Sequence, residues 1–279
     1  MRLVSKYIAA ACGAVMLATG LSGVASAAPT GNLVTLGDSY SANPDQVRNT
    51  FRGVPGATDN YPQREGCLQA PNNWPRKLAA KTNRPLADWS CTAQTSNTMN
   101  QRLDRAIANG DVRNDSTVVI AVGMNDYGPF NFDVLKSSPD VPKNVHDNYV
   151  NRLREAGDKI HRAAPGAKIV VSGALPTVDR EHATFCAVNV IPNHPGGIYV
   201  PIVRDVENWN RANQIEAANS IGATYVDMID GARGHDTCAP DAQRWVAGLI
   251  DTTTPNYNMN FHPSDAGSEY MANTLLAHV

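Results

Sequence analysis

The chain has 279 residues, 18% of them charged and 6% aromatic, with a formal net charge of −2. Near-neutral charge without a Lys/Arg stripe gives no sign of nucleic acid or anionic membranes as partners. The few aromatics argue against an aromatic-rich glycan-binding module.

Residues 1–27 read as an export signal. Arg2 and Lys6 form a basic n-region, and residues 7–20 form an apolar h-region too short to span a bilayer comfortably. Ala25-Ser26-Ala27 is a small-residue cleavage site. Ala9, three positions before Cys12, argues against a lipoprotein, so Cys12 leaves with the signal. No later stretch has the length of a transmembrane segment. The remainder, 28–279, is about 250 residues and suits one α/β domain.

Leu33–Leu36 is a short apolar run and the first predicted strand. Trp74–Thr82 reads as a helix entered at Asn72-Asn73, with Pro75 in its first turn. Leu86–Ser90 is a weaker strand, and Thr98–Asn109 an amphipathic helix ended by Gly110. Thr117–Val122 is the strongest strand. Val145–Ala164 is a long helix with Val145, Tyr149, Leu153, Ala156 and Ile160 on one face, stopped by Pro165-Gly166. Lys168–Ser172 is a strand, Ile202–Ser220 a helix, and Ala223–Met228 the last strand. Ser264–His278 closes the chain as a helix with Ser264 as N-cap. This alternation predicts an α/β fold with a mostly parallel sheet covered by helices on both faces, and right-handed crossovers place the loops after its strands on one rim. Long connections lie at 42–73, 127–144, 178–201 and 229–263; loops of that length are functional or pinned.

Cys67, Cys91, Cys186 and Cys238 remain after the signal. An even count in an exported chain implies two disulfides with three possible pairings, and their order suggests Cys67–Cys91 and Cys186–Cys238. No paired C-x-x-C stands ready for zinc.

Ser39 lies in Gly37-Asp38-Ser39-Tyr40-Ser41, just past the first strand, where open α/β sheets place their ligands. The G-x-S-x-G elbow does not fit, because Ser41 holds the second glycine slot. Cys91-Thr92-Ala93-Gln94-Thr95 follows the second strand, Gly123-Met124-Asn125-Asp126 follows the central strand, and Phe261-His262-Pro263-Ser264 precedes the last helix. Each piece alone has a plainer reading, a polar turn for Asn125-Asp126 and a surface histidine for His262. Their joint order resembles the SGNH (GDSL) hydrolases, especially the secreted actinobacterial esterases and lipases with disulfides, across nearly all of the chain after the signal. The resemblance implies a three-layer sandwich with a mostly parallel central sheet, the flavodoxin-like SGNH hydrolase fold.

It also implies roles. Ser39 is similar to the family's nucleophile and His262 to its base. The Ser39 N–H and the Asn125 side chain are expected to face the oxyanion. Ala93 stands where related enzymes carry glycine; an alanine keeps its N–H, provided its backbone angles suit. Met259 stands where the family has the aspartate that orients the histidine. A Met side chain cannot serve there, so the Met259 carbonyl is expected to orient His262, with Asn258, Asn260 and Asp227 as alternatives. Asp38, Asp126 and Asp179 read as local hydrogen-bond anchors. Tyr127, Phe130, Phe132, Val134 and Leu135 either wall an acyl pocket or cover the sheet edge.

The expected activity is a secreted serine carboxylester hydrolase acting through an acyl-enzyme, without metal or organic cofactor. Its substrates would be lipid esters, acylated glycolipids or O-acetylated glycans. The competing expectation, favoured by Met259 and Ala93, is a non-catalytic envelope-binding protein on a degenerate SGNH scaffold.

Overall fold

The computed structural model describes residues 31–128 and 141–279. The predicted export signal lies outside the described residues, as do Phe130, Phe132, Val134 and Leu135.

Strand β1 (Leu33–Gly37) runs into the one-turn helix α1 (Ser39–Ala42) and a second short helix, α2 (Gln46–Thr50). A small ribbon of β2 (Gln63–Arg64) and β3 (Cys67–Leu68) precedes α3 (Trp74–Thr82) and β4 (Leu86–Asp88). Then come α4 (Ser96–Ala108), β5 (Thr117–Ala121), α5 (Val141–Ala163) and β6 (Lys168–Ser172). A hairpin of β7 (Thr184–Asn189) and β8 (Gly196–Tyr199) leads to α6 (Pro201–Ser220), β9 (Thr224–Val226), β10 (Ile250–Asp251) and α7 (Asp265–Leu276).

The main sheet is five-stranded, in the order β4-β1-β5-β6-β9, with every neighbouring pair parallel. Counted along the chain this is 2-1-3-4-5, the flavodoxin-like arrangement, whose strand order reverses beside β1 and opens a crevice there. Alternation along the strands feeds two cores. Val34, Leu36, Val118, Ile120, Ile169 and Val171 face α4, α5 and α6. Leu33, Val119, Ala121 and Val170 face α3 and α7, around the buried Trp74 and Met271. Each fully buried Val, Leu or Ile contributes about 1.5–3 kcal/mol, which explains why the central strands read as unbroken apolar runs.

Local signals set most boundaries. Asn73 caps α3 by accepting from Arg76 N at 3.1 Å, and Ser264 caps α7. α4 begins two residues before its predicted start, because Thr95 and Thr98 form a reciprocal capping box. α5 begins at Val141, about a turn earlier than its apolar stripe. The β7–β8 hairpin with β10 beside β7 forms a second sheet inside connections read as loops. Its strands are short and largely exposed, so they lack the buried apolar run that marks the main sheet.

The disulfides are Cys67–Cys91 and Cys186–Cys238, the pairing suggested by their order. The second joins β7 to the connection after β9 across 52 residues. Replacing both of its cysteines by serine is expected to lower the unfolding free energy by about 2–4 kcal/mol in urea titration. An unchanged midpoint would mean that the small sheet is held by packing alone.

Candidate active site

Ser39 opens α1, directly past β1. Asp38 caps that turn, its Oδ1 accepting from Tyr40 N at 2.9 Å. The turn is too tight for a side chain at Gly37, where a Cβ would lie 2.1 Å from Ser41 Oγ. As the first residue of its helix, Ser39 has no intrahelical acceptor for its own N–H.

The turns after β4 and β5 are fastened to this one. Cys91 N donates to Gly37 O at 3.0 Å, and Asp38 N donates to Ala121 O at 3.2 Å. Asn125 Nδ2 donates to Gln94 O at 3.0 Å, which fixes the amide and leaves its second hydrogen for another acceptor. Asp126 accepts from both Ser96 N and Ser96 Oγ, pinning the start of α4. Gly123 has φ 145°, and a Cβ there would lie 2.1 Å from Asn210 Oδ1, so glycine is required for α6 to pack beneath the turn. Ala93 has φ 63°, in the left-handed region that favours glycine, and its N–H donates to no described residue. Ser39, Ala93 and Asn125 thus stand on three neighbouring turns at the switch in strand order.

His262 arrives on the loop before α7. Asn43 Nδ2 donates to Pro263 O at 2.8 Å, and Gln46 N donates to Asn258 O at 2.8 Å, so α1 and α2 hold this loop. The Tyr40 ring lies 5.1 Å from the imidazole. Nδ1 meets the main-chain carbonyl of Asn260 at 2.6 Å, not that of Met259. Phe261, at φ 62°, turns the chain back on itself and brings the carbonyl two residues before the ring onto Nδ1. Met259 instead buries its side chain. The Asn258 amide donates to Asn72, and Asp227 is engaged by Arg211 and Asp230 N, so neither serves the histidine.

With Nδ1 donating to a carbonyl, Nε2 is the acceptor nitrogen. It is buried and has no hydrogen-bond partner among the described residues. The residue as a whole is half-buried, yet the surroundings of its ring push the imidazole down to about 4, against a small upward pull from the Asn260 carbonyl. Asp38 moves the other way. Burial, aided by the charge of Asp126, pushes its carboxyl up to about 7 despite the Tyr40 N–H. A neutral imidazole therefore stands in a site whose buried carboxyl, Asp38, also resists ionisation.

Beneath α1 lies a small cavity bordered by Asp38, Tyr40, Ser41, Met124, Ser172 and Asn210. Tyr40 Oη, Ser41 Oγ and Asn210 Oδ1 are buried there without a described partner. Tyr127 is buried, stacked on Trp209 and bonded to Asn213, so it is part of the core and no pocket wall. Sequence reading missed Gln94, whose carbonyl orients Asn125 and which as a main-chain partner leaves no side-chain signature, and Ser96, whose N–H and hydroxyl both bond Asp126. Asp38, Asp126 and Asp179 each accept backbone N–H bonds, as read. Among the described residues no cluster of His, Cys, Asp and Glu could hold a metal ion, and no helix is long and apolar enough to cross a membrane.

Ala93 gives a direct test of this geometry. Ala93→Gly is expected to relieve up to about 1 kcal/mol of left-handed strain, partly offset by greater freedom of the unfolded chain. Thermal unfolding should show a neutral or raised Tm, and esterase turnover should stay within about tenfold because the N–H remains. A fall in Tm would contradict the backbone conformation described.

Residues 35–270 match the GDSL-like Lipase/Acylhydrolase family. Lipase 2 of Streptomyces coelicolor is 27% identical, over 98% of this chain and 95% of the relative. Two solved structures share the fold. An extracellular lipase from Streptomyces rimosus has a TM-score of 0.61 at 18% identity, covering 90% of this chain and 100% of that one. Phospholipase A1 from Streptomyces albidoflavus has a TM-score of 0.59 at 19% identity, with the same coverage. The match over most of its length makes this chain a member of the GDSL-like lipase/acylhydrolase family, a carboxylic ester hydrolase of the SGNH type.

Proposed function

We propose that the chain is a secreted serine esterase or lipase working through an acyl-enzyme on lipid or O-acyl esters. The observation that carries this reading is His262: Nδ1 is committed to a carbonyl, while Nε2 is buried, neutral and without a partner among the described residues. A buried polar atom left without a partner costs about 1–3 kcal/mol, and a base awaiting a proton accounts for it.

In this mechanism His262 Nε2 takes the proton of Ser39 Oγ as Oγ attacks the ester carbonyl carbon. The oxyanion is met by the N–H groups of Ser39 and Ala93 and by the free amide hydrogen of Asn125. Collapse breaks the bond to the alkoxy oxygen, which leaves with the proton from His262. Water, deprotonated by the same nitrogen, then attacks the acyl-Ser39 carbonyl; the acyl–Oγ bond breaks, the acid leaves, and His262 returns the proton to Ser39 Oγ. Two disulfides and the expected export signal support work outside the cytoplasm. The non-catalytic alternative gains nothing from the relatives, which bear the names of lipases.

Two measurements test the reading. Ser39→Ala should abolish hydrolysis of p-nitrophenyl esters and labelling by a fluorophosphonate with the fold intact; retained turnover would remove Ser39 from the nucleophile's place. The second concerns pH. A base must be deprotonated, and burial lowers the pKa of His262, so the acid limb of kcat/KM should fall below the ordinary imidazole value of 6.5, toward 4. Asp38→Asn keeps a capping oxygen and removes the neighbouring titration, so the limb seen in that variant belongs to His262. A limb at or above 6.5 would contradict the environment assigned to the ring.

A further inference from the structure

Two exposed apolar surfaces border the His262 loop. On one side, Val47, Phe51 and Val54 are 63%, 53% and 53% exposed, at the spacing of one helical face through α2 and the turns after it. On the other, Ile198 and Tyr199 at the end of β8 are 60% and 73% exposed, and Ile250 on the same small sheet is also exposed.

Both are fastened to the catalytic loop. Gln46, beside Val47, bonds Asn258 O. Ile198 stands opposite Phe185 in the hairpin register, and such cross-strand pairs share a sheet face. Phe185 in turn stacks on Phe261, ring centroids 5.2 Å apart, next to His262. Asn260, whose carbonyl orients His262, donates its side-chain amide to Leu249 O, next to Ile250.

The charges around these surfaces are uneven. Residues 183–203, spanning the hairpin, contain no Asp, Glu, Lys or Arg. Residues 45–54 contain Arg48 and Arg52 against one acid, Asp45, whose carboxylate caps α2 by accepting from Arg48 N, and neither guanidinium pairs with a carboxylate among the described residues. Arg48 lies over the Tyr61 ring, and Arg52 bonds only the Asn49 side chain. The near-neutral chain thus carries a small local excess of positive charge, two arginines against Asp45, beside exposed apolar side chains. Exposed apolar groups beside free arginines are the chemistry of attachment to an anionic lipid interface.

We propose that these two surfaces form one docking face for a lipid–water interface bearing anionic headgroups, so that esters enter the site from the lipid layer. The proposal rests on the ester-hydrolase reading and narrows its substrates to esters presented in aggregates. A loop between two lipid-facing edges keeps Ser39 and His262 at the layer, and an uncharged hairpin can be desolvated there without stripping water from an ion.

The test separates docking from catalysis. The Ser39→Ala protein is sedimented with vesicles of phosphatidylcholine, alone or mixed with phosphatidylglycerol. Binding is expected to be stronger to the mixed vesicles and to weaken with added salt. The pairs Val47→Ser with Phe51→Ser, and Ile198→Ser with Tyr199→Ser, should each reduce vesicle affinity by about tenfold or more. Arg48→Gln should reduce it by about fivefold on the anionic vesicles only. With Ser39 restored, the same variants should keep kcat/KM on soluble p-nitrophenyl acetate within about twofold and an unchanged Tm, while losing hydrolysis of vesicle-borne esters. Vesicle binding unaffected by these substitutions would overturn the proposal. So would a dimer in sedimentation equilibrium that they dissolve, since the face would then cover a second copy of the chain. Activity surviving in Ser39→Ala would instead defeat the nucleophile assignment and leave the docking result standing.

Discussion

The site depends on peptide hydrogen bonds made just beyond the carboxyl ends of three parallel strands. Gly37 O receives Cys91 N, and Ala121 O receives Asp38 N. These bonds extend the β4–β1–β5 ladder by one step after the strands have ended. Ser39, Ala93 and Asn125 are far apart along the chain, yet their turns keep the register of the sheet below them. A slip of one residue in β1 would reverse which of its side chains meet each core. Placement of the donors and packing of the core are therefore one constraint. The links from Asn125 to Gln94 and from Asp126 to Ser96 finish the work by tying turn to turn.

Charge at the site follows from what those turns exclude. Water is kept from Asp38, so its carboxyl titrates near 7, and from the imidazole of His262, which holds off its proton until about 4. A carboxylate on Nδ1 would raise that value and stabilise the imidazolium; the Asn260 carbonyl fixes the tautomer and supplies only a dipole. The consequence is an imidazole that stays neutral into mildly acidic pH and holds a proton less tightly than a free one, since proton affinity and pKa fall together. On the proposed mechanism the oxyanion would then draw a larger share of its stabilisation from the N–H groups of Ser39 and Ala93 and from the Asn125 amide.

What the sequence revealed divides along a physical line. β1, β5 and β6 were legible because burial on both faces demands unbroken apolar runs. Helices α3 and α7 were legible down to their caps, because Asn73 and Ser264 act through side chains that a reader can see. Ser39, Asn125 and His262 were singled out by their order relative to those elements, and the structure puts each on a turn at a strand end or before a helix. The partner of Nδ1 was placed one residue early, at Met259, because it is a main-chain carbonyl and its position is set by the backbone angles of Phe261. The small sheet of β7, β8 and β10 escaped for a related reason. It is held by Cys186–Cys238, by the Asn189 amide donating to Thr237 O and the Asp251 carboxylate, and by Cys186 N donating to Thr237 Oγ1, not by an apolar core.

These excursions explain why a simple five-stranded layer needs so many residues beyond its core. The strands and helices place Ser39, Ala93 and Asn125, but His262 comes from the connection after β9, which no ladder of the main sheet fixes. It must be held from outside the sheet. Asn43 and Gln46 hold it on one side, and Phe185 with the disulfide-bound hairpin holds it on the other. The segments that hold the His262 loop do so through backbone groups and through side chains turned toward it, the Asn43 amide and the Phe185 ring. Of their other side chains, Val47, Phe51 and Ile198 are exposed and take no part in fixing the loop.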